Sequence, residues 1–552
     1  MALAYLCKRV RRFKTPPITA FIVDHRLRPG STNEAQSVAR YLGSKLGMKH
    51  EILTVDWEGV PDPSQIPNLE SAARTKRFQA LGRACAAADI DTLLFAHHAD
   101  DQAETVLMRI HGGYLGTGLT CIRPKTPLGE CHGIYKASKS GTPRVLDDTR
   151  NLTSFLVESG GVVAHRPLLS FTKSELIDTC KMGFVRWYED ATNADGTLTI
   201  RNAIRQMLQT KVMPAALTSD RLRQLAANKW SDFSSCETKA TAYFEDCRTE
   251  LDIKHSSLSF QIHPDIEMQL AREKDCQLVT AMLMRKFFSL VEDQNRLALK
   301  DLSRAVGFVF PSTFGDWRPD STTVNIGNVT LVKDTSSQEN AMDGQKRYLI
   351  LPRPVAAPEL YTQTLLEVTE DNHSTSNEPV WTETKLFHDR WWIKLKYIPA
   401  NVPVGTSVVV RFLKKGESVK KGDQWHAEHK LGLIPSGQGR HTIPAIVKTS
   451  EAIDRNGIMS KEEKIIALPS IGLTRVRWSV LKNKSDRASD PEMPDDSLWQ
   501  YTCLYKDIDF NASKKHTITM VKAPPTKKAN DCFYDSPMSW KKTQVPRTRF
   551  PA

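Results

Sequence analysis

Thr92-Leu93-Leu94-Phe95-Ala96-His97-His98-Ala99-Asp100-Asp101-Gln102-Ala103-Glu104 is a short apolar run that breaks into a polar turn and then into a segment of helical period ending near His111. A short, non-alternating apolar run reads as a strand buried on both faces, which is the habit of parallel sheets. The turn puts two histidines and three acids beyond the carboxyl end of that strand, where ligands of parallel sheets bind.

The same unit repeats toward the N-terminus. Ile18–Val23 is another unbroken apolar run, and Glu51–Val55 a third. Ser31-Thr32-Asn33-Glu34 reads as a capping box, Ser at the cap and Glu three residues on, opening a helix to about Leu46. Leu69–Ala88 reads as a helix with Phe78, Leu81, Cys85 and Ala88 on one face, and Asp101–His111 as another. Strands alternating with helices predict an α/β fold, a doubly wound parallel sheet covered on both faces. The loops that matter follow Val23, Val55 and Ala96.

Residues 1–23 carry Lys8, Arg9, Arg11, Arg12 and Lys14 and no acid, a composition shared with mitochondrial transit peptides. The reading we adopt is an ordinary helix from Met1 to about Arg12, with Leu3, Leu6, Cys7 and Val10 at spacings of three and four.

At 552 residues the chain is too long for one core and predicts two to four domains. With 40% apolar and 25% charged residues, its composition is that of a globular protein, not of a disordered or fibrous one. The net charge of +13 favours a polyanionic partner such as RNA. No stretch reaches the roughly 20 apolar residues of a membrane helix. The ten cysteines stand singly with no C-x-x-C pair, which gives no zinc ribbon or redox pair and fits a reducing compartment.

The segments V-D-H-x-L-R (Val23 to Arg28), N-L-E-x-A-A-R (Asn68 to Arg74), A-H-H-x-D-D-Q-x-E-T (from Ala96), R-P-L-L (from Arg166), E-D-x-T-N (from Glu189) and R-N-x-I-R (Arg201 to Arg205) follow one another in this order. Each alone is weak. The ordered set over residues 1–205 resembles the tRNA(Ile)-lysidine synthetases, whose catalytic domain is a PP-loop ATP pyrophosphatase fold. The resemblance implies that ATP, with Mg²⁺, adenylates the C2 oxygen of the wobble cytidine in a CAU anticodon and releases pyrophosphate. The side-chain amine of free L-lysine then displaces AMP to give lysidine. It also implies, in a eukaryote, a mitochondrial location, with the cytoplasm as the alternative; the lack of a long apolar stretch gives no membrane partner.

Attack at a phosphate develops charge that cations and N–H donors stabilise, and a lysine amine must lose a proton before it attacks. Through the resemblance we assign Asp101, Glu104 and His98 to catalysis, with Asp101 also the candidate Mg²⁺ ligand. Asp24, His25, Arg74 and His97 are assigned to ATP, and Arg201 and Arg205, four apart on one helix face, to tRNA. Each has a plainer reading. Asp101-x-x-Glu104 is also a capping box; His97 and His98, adjacent in a strand, would face opposite ways, so that one of them packs. Asp190 and Asn193 also suit a turn, and Arg201 with Arg205 a solvated helix face.

The family opens with a strand and the loop S-G-G-x-D-S, followed by a helix beginning Met-Ala-Leu. Here Met1-Ala2-Leu3 starts the chain. The expectation is therefore a sequence begun at an internal methionine, lacking a central strand between Ile18–Val23 and Thr92–Ala96 and the loop that cradles pyrophosphate. A truncated, non-catalytic RNA-binding remnant is one alternative, and another PP-loop enzyme such as a tRNA thiolase a second.

Downstream, residues 123–160 read as a polar insertion, and Thr172 with Glu175 as a capping box for a helix stopped by Gly183. We divide the chain into a catalytic domain at 1–210, a mainly helical tRNA-binding domain at 211–351, a linker at 352–380, a β-rich domain at 381–510 and a basic tail at 511–552. Val324–Leu351 reads as a pair of strands. The tail holds nine Lys/Arg against two acids and reads as a solvated segment or an RNA anchor.

Overall fold

The structure is a computed structural model, and it describes residues 1–10, 17–57, 65–148, 153–189, 199–210, 213–292, 297–313, 322–334, 345–354, 361–414, 417, 441–453, 459–471, 473–474, 499–508 and 516–518. Two compact units emerge, one built mainly from Met1–Thr142 and Gly160–Glu237, the other from Pro143–Ser159 and Thr238–Val545.

The first unit follows the alternating pattern. Its elements run α1 (Ala2–Val10), β1 (Thr19–Asp24), α2 (Ser31–Ser44), β2 (Lys49–Thr54), α3 (Leu69–Ala87), β3 (Thr92–Leu94), α4 (Ala99–His111), β4 (Lys125–Pro127) and β5 (Ser138–Gly141). The chain then leaves for a hairpin of the second unit, β6 (Arg144–Asp148) and β7 (Thr153–Val157). It returns as β8 (Gly160–Gly161), β9 (Val163–His165), α5 (Lys173–Met182), α6 (Ile200–Thr210) and α7 (Ser219–Asp246). The polar insertion expected at 123–160 thus contains four strands, β4 to β7.

Among the described residues, the strands of this unit are not joined into a single doubly wound sheet. β1 pairs in parallel with β2, from Thr19 opposite Lys49 to Asp24 opposite Thr54. β3 pairs in parallel with β9, whose other edge takes β4 antiparallel. Among the described residues no strand hydrogen-bonds to both β1 and β3, so the α/β layer consists of two separate sheets. They share one core because α3 packs on both. Phe78, Leu81 and Cys85 meet Leu93 and Ala164 of one sheet, and Phe21, Val23 and Leu53 of the other. Burying a ring such as Phe78, 1% exposed, contributes roughly 2–3 kcal/mol. Ala88, expected on this face, is exposed.

Two helix starts differ from the sequence reading. The cap of α2 is Gly30, at φ 84°, and Ser31 is its first residue; the Ser31–Glu34 box is absent because Ser31 bonds to Asp24 and Glu34 to Arg28. α4 begins at Ala99, two residues before the expected Asp101, with His98 as its cap. The box of α5 is as read: the Thr172 amide donates to Glu175 Oε2 at 2.7 Å, and Gly183 ends the helix.

Residues 211–351, expected to be mainly helical, hold five strands beside their helices. After α7 come β10 (Arg248–Asp252), β11 (Ser257–Ile262), α8 (Pro264–Arg272), α9 (Cys276–Ser289), α10 (Ser303–Val309), β12 (Thr323–Ile326), β13 (Val329–Asp334) and β14 (Lys346–Pro352). The short alternating strands β10 and β11 escaped the helical reading, and Val324–Leu351 yields three strands rather than two. Phe260 of β11 stacks on Phe287 of α9 with centroids 4.3 Å apart, joining sheet to helix.

The β-rich remainder comprises β15 (Gln363–Glu367), β16 (Val380–Trp381), β17 (Lys385–Phe387), β18 (Trp391–Tyr397), β19 (Ser407–Phe412), β20 (Pro444–Ile453), β21 (Met459–Leu468), β22 (Leu473–Thr474), β23 (Gln500–Tyr505) and β24 (His516–Ile518). The β6–β7 hairpin joins β23 in one sheet, and β24 joins β10 in another. Of the basic tail only this last strand lies within the described residues. Among those residues no helix is long and apolar enough to cross a membrane.

Candidate functional site

The carboxyl ends of β1, β3 and β9 carry the charged residues of the first unit. β1 ends at Asp24, whose carboxylate is 2% exposed. It accepts from Ser31 Oγ at 2.8 Å, Thr32 Oγ1 at 2.6 Å and the Arg26 amide at 3.1 Å. Burial raises its pKa, but those bonds and the Arg26 charge outweigh burial and hold it below the ordinary carboxylate range. Asp24 thus anchors the start of α2, with both oxygens engaged inside the protein. His25 is depressed by burial and then by Arg77, with Asp24 opposing. Its carbonyl accepts from Trp57 Nε1 at 2.8 Å.

Beyond β3, Phe95 donates its amide to the His165 carbonyl at 2.8 Å, prolonging the pairing with β9 by one bond. The two histidines then leave strand geometry, so the alternation expected of His97 and His98 does not apply. His97 lies beside Phe95, ring centroids 5.7 Å apart, and Phe95 beside Phe78 at 5.2 Å. This three-ring ladder carries guanidinium groups. Arg74 and Arg77 of α3 lie 4.6 and 5.5 Å from the Phe78 centroid, and Arg166, just past β9, lies 5.7 Å from Phe95. Burial pushes the His97 pKa down to about 4; Asp101 opposes this, while Arg166, Arg201 and Arg77 add to it. Its ring is therefore neutral near pH 7.

His98 caps α4. Its amide donates to Asp101 Oδ2 at 3.0 Å, and its ring nitrogens lie 3.5 Å from Asp100 Oδ2 and Asp101 Oδ2. Asp101 stands at the third helical position, with one oxygen given to the cap. Asp100 accepts the Lys173 amide at 2.7 Å and ties α4 to α5.

Glu104 and the two arginines of α6 form one group, unlike the separate roles expected for them. Glu104 Oε1 accepts from Arg205 Nε at 2.7 Å and Oε2 from Arg205 Nη2 at 3.0 Å, while Arg201 Nε lies 3.3 Å from Oε2. The Glu104 side chain is 3% exposed and those of Arg201 and Arg205 are 30% and 23% exposed. Two cations thus neutralise an enclosed carboxylate. Glu104, assigned to catalysis, and Arg201 and Arg205, assigned to tRNA, are thus engaged with one another in this structure. Arg74 is also paired, its Nε donating to Glu130 Oε1 at 2.9 Å. Asp190 to Asn193 lie outside the described residues.

No group of three or more His, Cys, Asp or Glu side chains among the described residues could hold a metal ion. Asp101 alone is therefore no protein cage for Mg²⁺, an ion that commonly keeps waters and takes substrate phosphates as ligands.

The comparisons add what geometry cannot. The family described as PP-loop domain matches residues 1–212. Residues 1–212 are therefore similar to a PP-loop domain. Over 201 residues the chain is 37% identical to a probable tRNA(Ile)-lysidine synthase of Schizosaccharomyces pombe, covering 36% of this chain and 38% of that one. The tRNA(Ile)-lysidine synthase of Bradyrhizobium sp. is 32% identical over 212 residues, 38% and 49% of the two chains. That of Wolbachia pipientis wMel is 26% identical over 286 residues, 51% and 58%. The chain thus spans between 38% and 58% of the length of these relatives. A solved U34-tRNA thiolase, NcsA of Methanococcus maripaludis, covers 42% of this chain and 67% of its own at 14% identity, with a TM-score of 0.29 that carries no argument.

Within this PP-loop domain, sequence reasoning assigned no role to Arg77, Arg166 or Phe95. Signals existed. Arg77 lies one helical turn from Arg74, and Arg166 opens the R-P-L-L segment directly after a strand. The ladder itself had no signal, since ring stacking across elements is not legible in a linear pattern.

Proposed function

We propose that this chain is the catalytic part of a tRNA(Ile)-lysidine synthetase, using ATP with Mg²⁺ to join free L-lysine to the wobble cytidine of a tRNA with a CAU anticodon. The observation that carries the reading is a coincidence of two maps. The segment similar to the synthases is the same one whose strand ends gather His25, His97, Asp101 and Arg166.

In the proposed reaction the cytidine C2 oxygen attacks the α-phosphorus and pyrophosphate leaves. The lysine ε-amine then attacks C2, the C2–O bond breaks, and AMP leaves with the oxygen. A neutral His97 offers a hydrogen-bond partner without adding positive charge. Asp101, held at one oxygen by the His98 amide, offers the other to the lysine ammonium or its departing proton. Glu104, Arg201 and Arg205 position α6 against α4. Mg²⁺ would neutralise phosphate charge, reaching the protein through Asp101 and otherwise through substrate oxygens and water.

A mitochondrial location belongs to the same proposal and is tested by imaging a fluorescent fusion of the gene product. The chemistry is tested by digesting reacted tRNA to nucleosides and weighing them. Lysidine replacing cytidine supports the reading; a sulfur-containing nucleoside would replace it with a thiolase.

A further inference from the structure

We propose that a groove between α4 and the first turns of α7 receives one unpaired base of the RNA substrate, stacked on Trp230 and read at its edge by Asp220 and Arg223. The assignment rests on reading the chain as a tRNA-modifying enzyme. The groove lies within the first unit and holds about 500 Å³, inside the roughly 300–1,000 Å³ of small-ligand clefts. Much of its lining is one face of α7. Asp220, Arg223, Gln224, Ala227 and Trp230 follow one another at spacings of three, one, three and three, which aligns them along the helix. Ala227 is small and leaves room between Arg223 and Trp230. Ile122, Pro124 and Leu169 add apolar lining from other elements.

The groove is held in shape from two sides. Gln102 accepts from the Ile122 amide at 2.9 Å and donates to the Ile122 carbonyl at 3.3 Å, which fastens that lining to α4. Trp230 lies nearly parallel to the buried Phe233, at 17° with centroids 6.0 Å apart. The Arg123 guanidinium lies 5.2 Å from the indole centroid and 4.7 Å from that of Phe233. The indole is thus fixed yet only partly buried. Its chemistry suits a flat ring, since every base has a face that stacks on an aromatic side chain. Asp220 and Arg223 pair with each other one turn apart, and with side chains 83% and 30% exposed they remain open to a ligand. Acceptor and donor side by side match a base edge that carries an exocyclic amine beside a ring nitrogen. Adenine and cytosine have that edge and uracil does not. Gln102 directly follows Asp101, so the groove borders the residue assigned to lysine chemistry and suits a neighbour of the reacting cytidine. In a CAU anticodon the adjacent adenine has the required edge.

The test is fluorescence anisotropy of the 552-residue protein with two RNA stem-loops, one presenting CAU in its loop and one presenting CUU. Wild type is compared with Trp230→Ala, Trp230→Phe and Arg223→Gln. Loss of the stacked ring in Trp230→Ala should weaken binding of the CAU loop about 10-fold. Trp230→Phe, which keeps a ring, should recover part of the loss, and matched melting curves exclude unfolding as the cause. The change from adenine to uracil should cost the wild type about 10-fold and cost Arg223→Gln far less, because the edge contact is already gone. Equal wild-type affinity for the two loops overturns the site, as does unchanged affinity in a folded Trp230→Ala protein. So does calorimetric binding of free lysine that Arg223→Gln abolishes, which would give Asp220 and Arg223 to the ammonium and carboxylate of an amino acid. Adenine-dependent binding in a protein that forms no lysidine would keep the groove and sink the proposed function.

Discussion

Arg205 clasps Glu104 with two parallel bonds, Nε to Oε1 at 2.7 Å and Nη2 to Oε2 at 3.0 Å, across 101 residues of sequence. The fork-to-carboxylate geometry is the strong form of ion pair, and its acid is enclosed. Hydrogen bonding to Glu104 raises the Arg205 pKa against the opposing effect of burial. Glu104→Gln would leave Arg201 and Arg205 facing each other without their counter-charge. We predict a loss of about 3 kcal/mol, discounted from the upper range because both arginines are partly exposed. Chemical denaturation reads it, and a double-mutant cycle with Arg205→Met should show coupling above about 1 kcal/mol. Additive effects would mean that the clasp carries no energy.

The depressed pKa of His97 gives stability a pH slope of known sign. The native ring protonates near pH 4, the unfolded one near the ordinary value of about 6.5. Between those values the unfolded state binds more protons, so stability falls on acidification from about pH 6.5 toward pH 4. His97→Gln should flatten that part of the curve. An unchanged slope would place the responsible titration elsewhere.

Gly82 offers a test of packing whose sign opposes helix propensity. In an exposed helix, Gly→Ala stabilises by about 1 kcal/mol. Here the added Cβ would come within 2.4 Å of Cys131 Sγ and 3.2 Å of Ala137 Cβ, in the shared core. Gly82→Ala should therefore destabilise by about 1–3 kcal/mol, read as a lower melting temperature. A higher one would show that the core yields.

Asp24 holds the entry to α2 through two hydroxyls and an amide. Asp24→Asn keeps the shape but removes the charge those donors favour, at a cost of about 1–2 kcal/mol. Because the native carboxyl titrates below its ordinary range, its contribution is present above the unfolded pKa and disappears as the pH falls through the folded one. The variant and the wild type should therefore converge in stability under strong acid. A difference that persists there would trace the effect to shape rather than charge.

The strands at Thr92 and Ile18 were legible because strands of parallel sheets run as uninterrupted apolar segments, although β3 leaves Thr92 and Leu94 exposed rather than buried on both faces. The α5 cap was legible because Thr172 and Glu175 bond locally. The split of the layer into two sheets was not, since pairing depends on which edges meet, and an apolar run carries no record of its neighbours. β10 and β11 were lost for a related reason: strands of five and six residues following the 28-residue α7 offer too few periods to distinguish. At the site, the face shared by Arg201 and Arg205 followed from their spacing. Their partner Glu104, on another helix, did not.

The most direct test of the central claim is transfer of labelled lysine to tRNA bearing a CAU anticodon, with ATP and Mg²⁺. It should be run with the 552-residue chain and with its Asp101→Ala variant. The account predicts ATP-dependent label in tRNA, abolished by Asp101→Ala. Absence of label, or label undiminished in the Asp101→Ala variant, would contradict it.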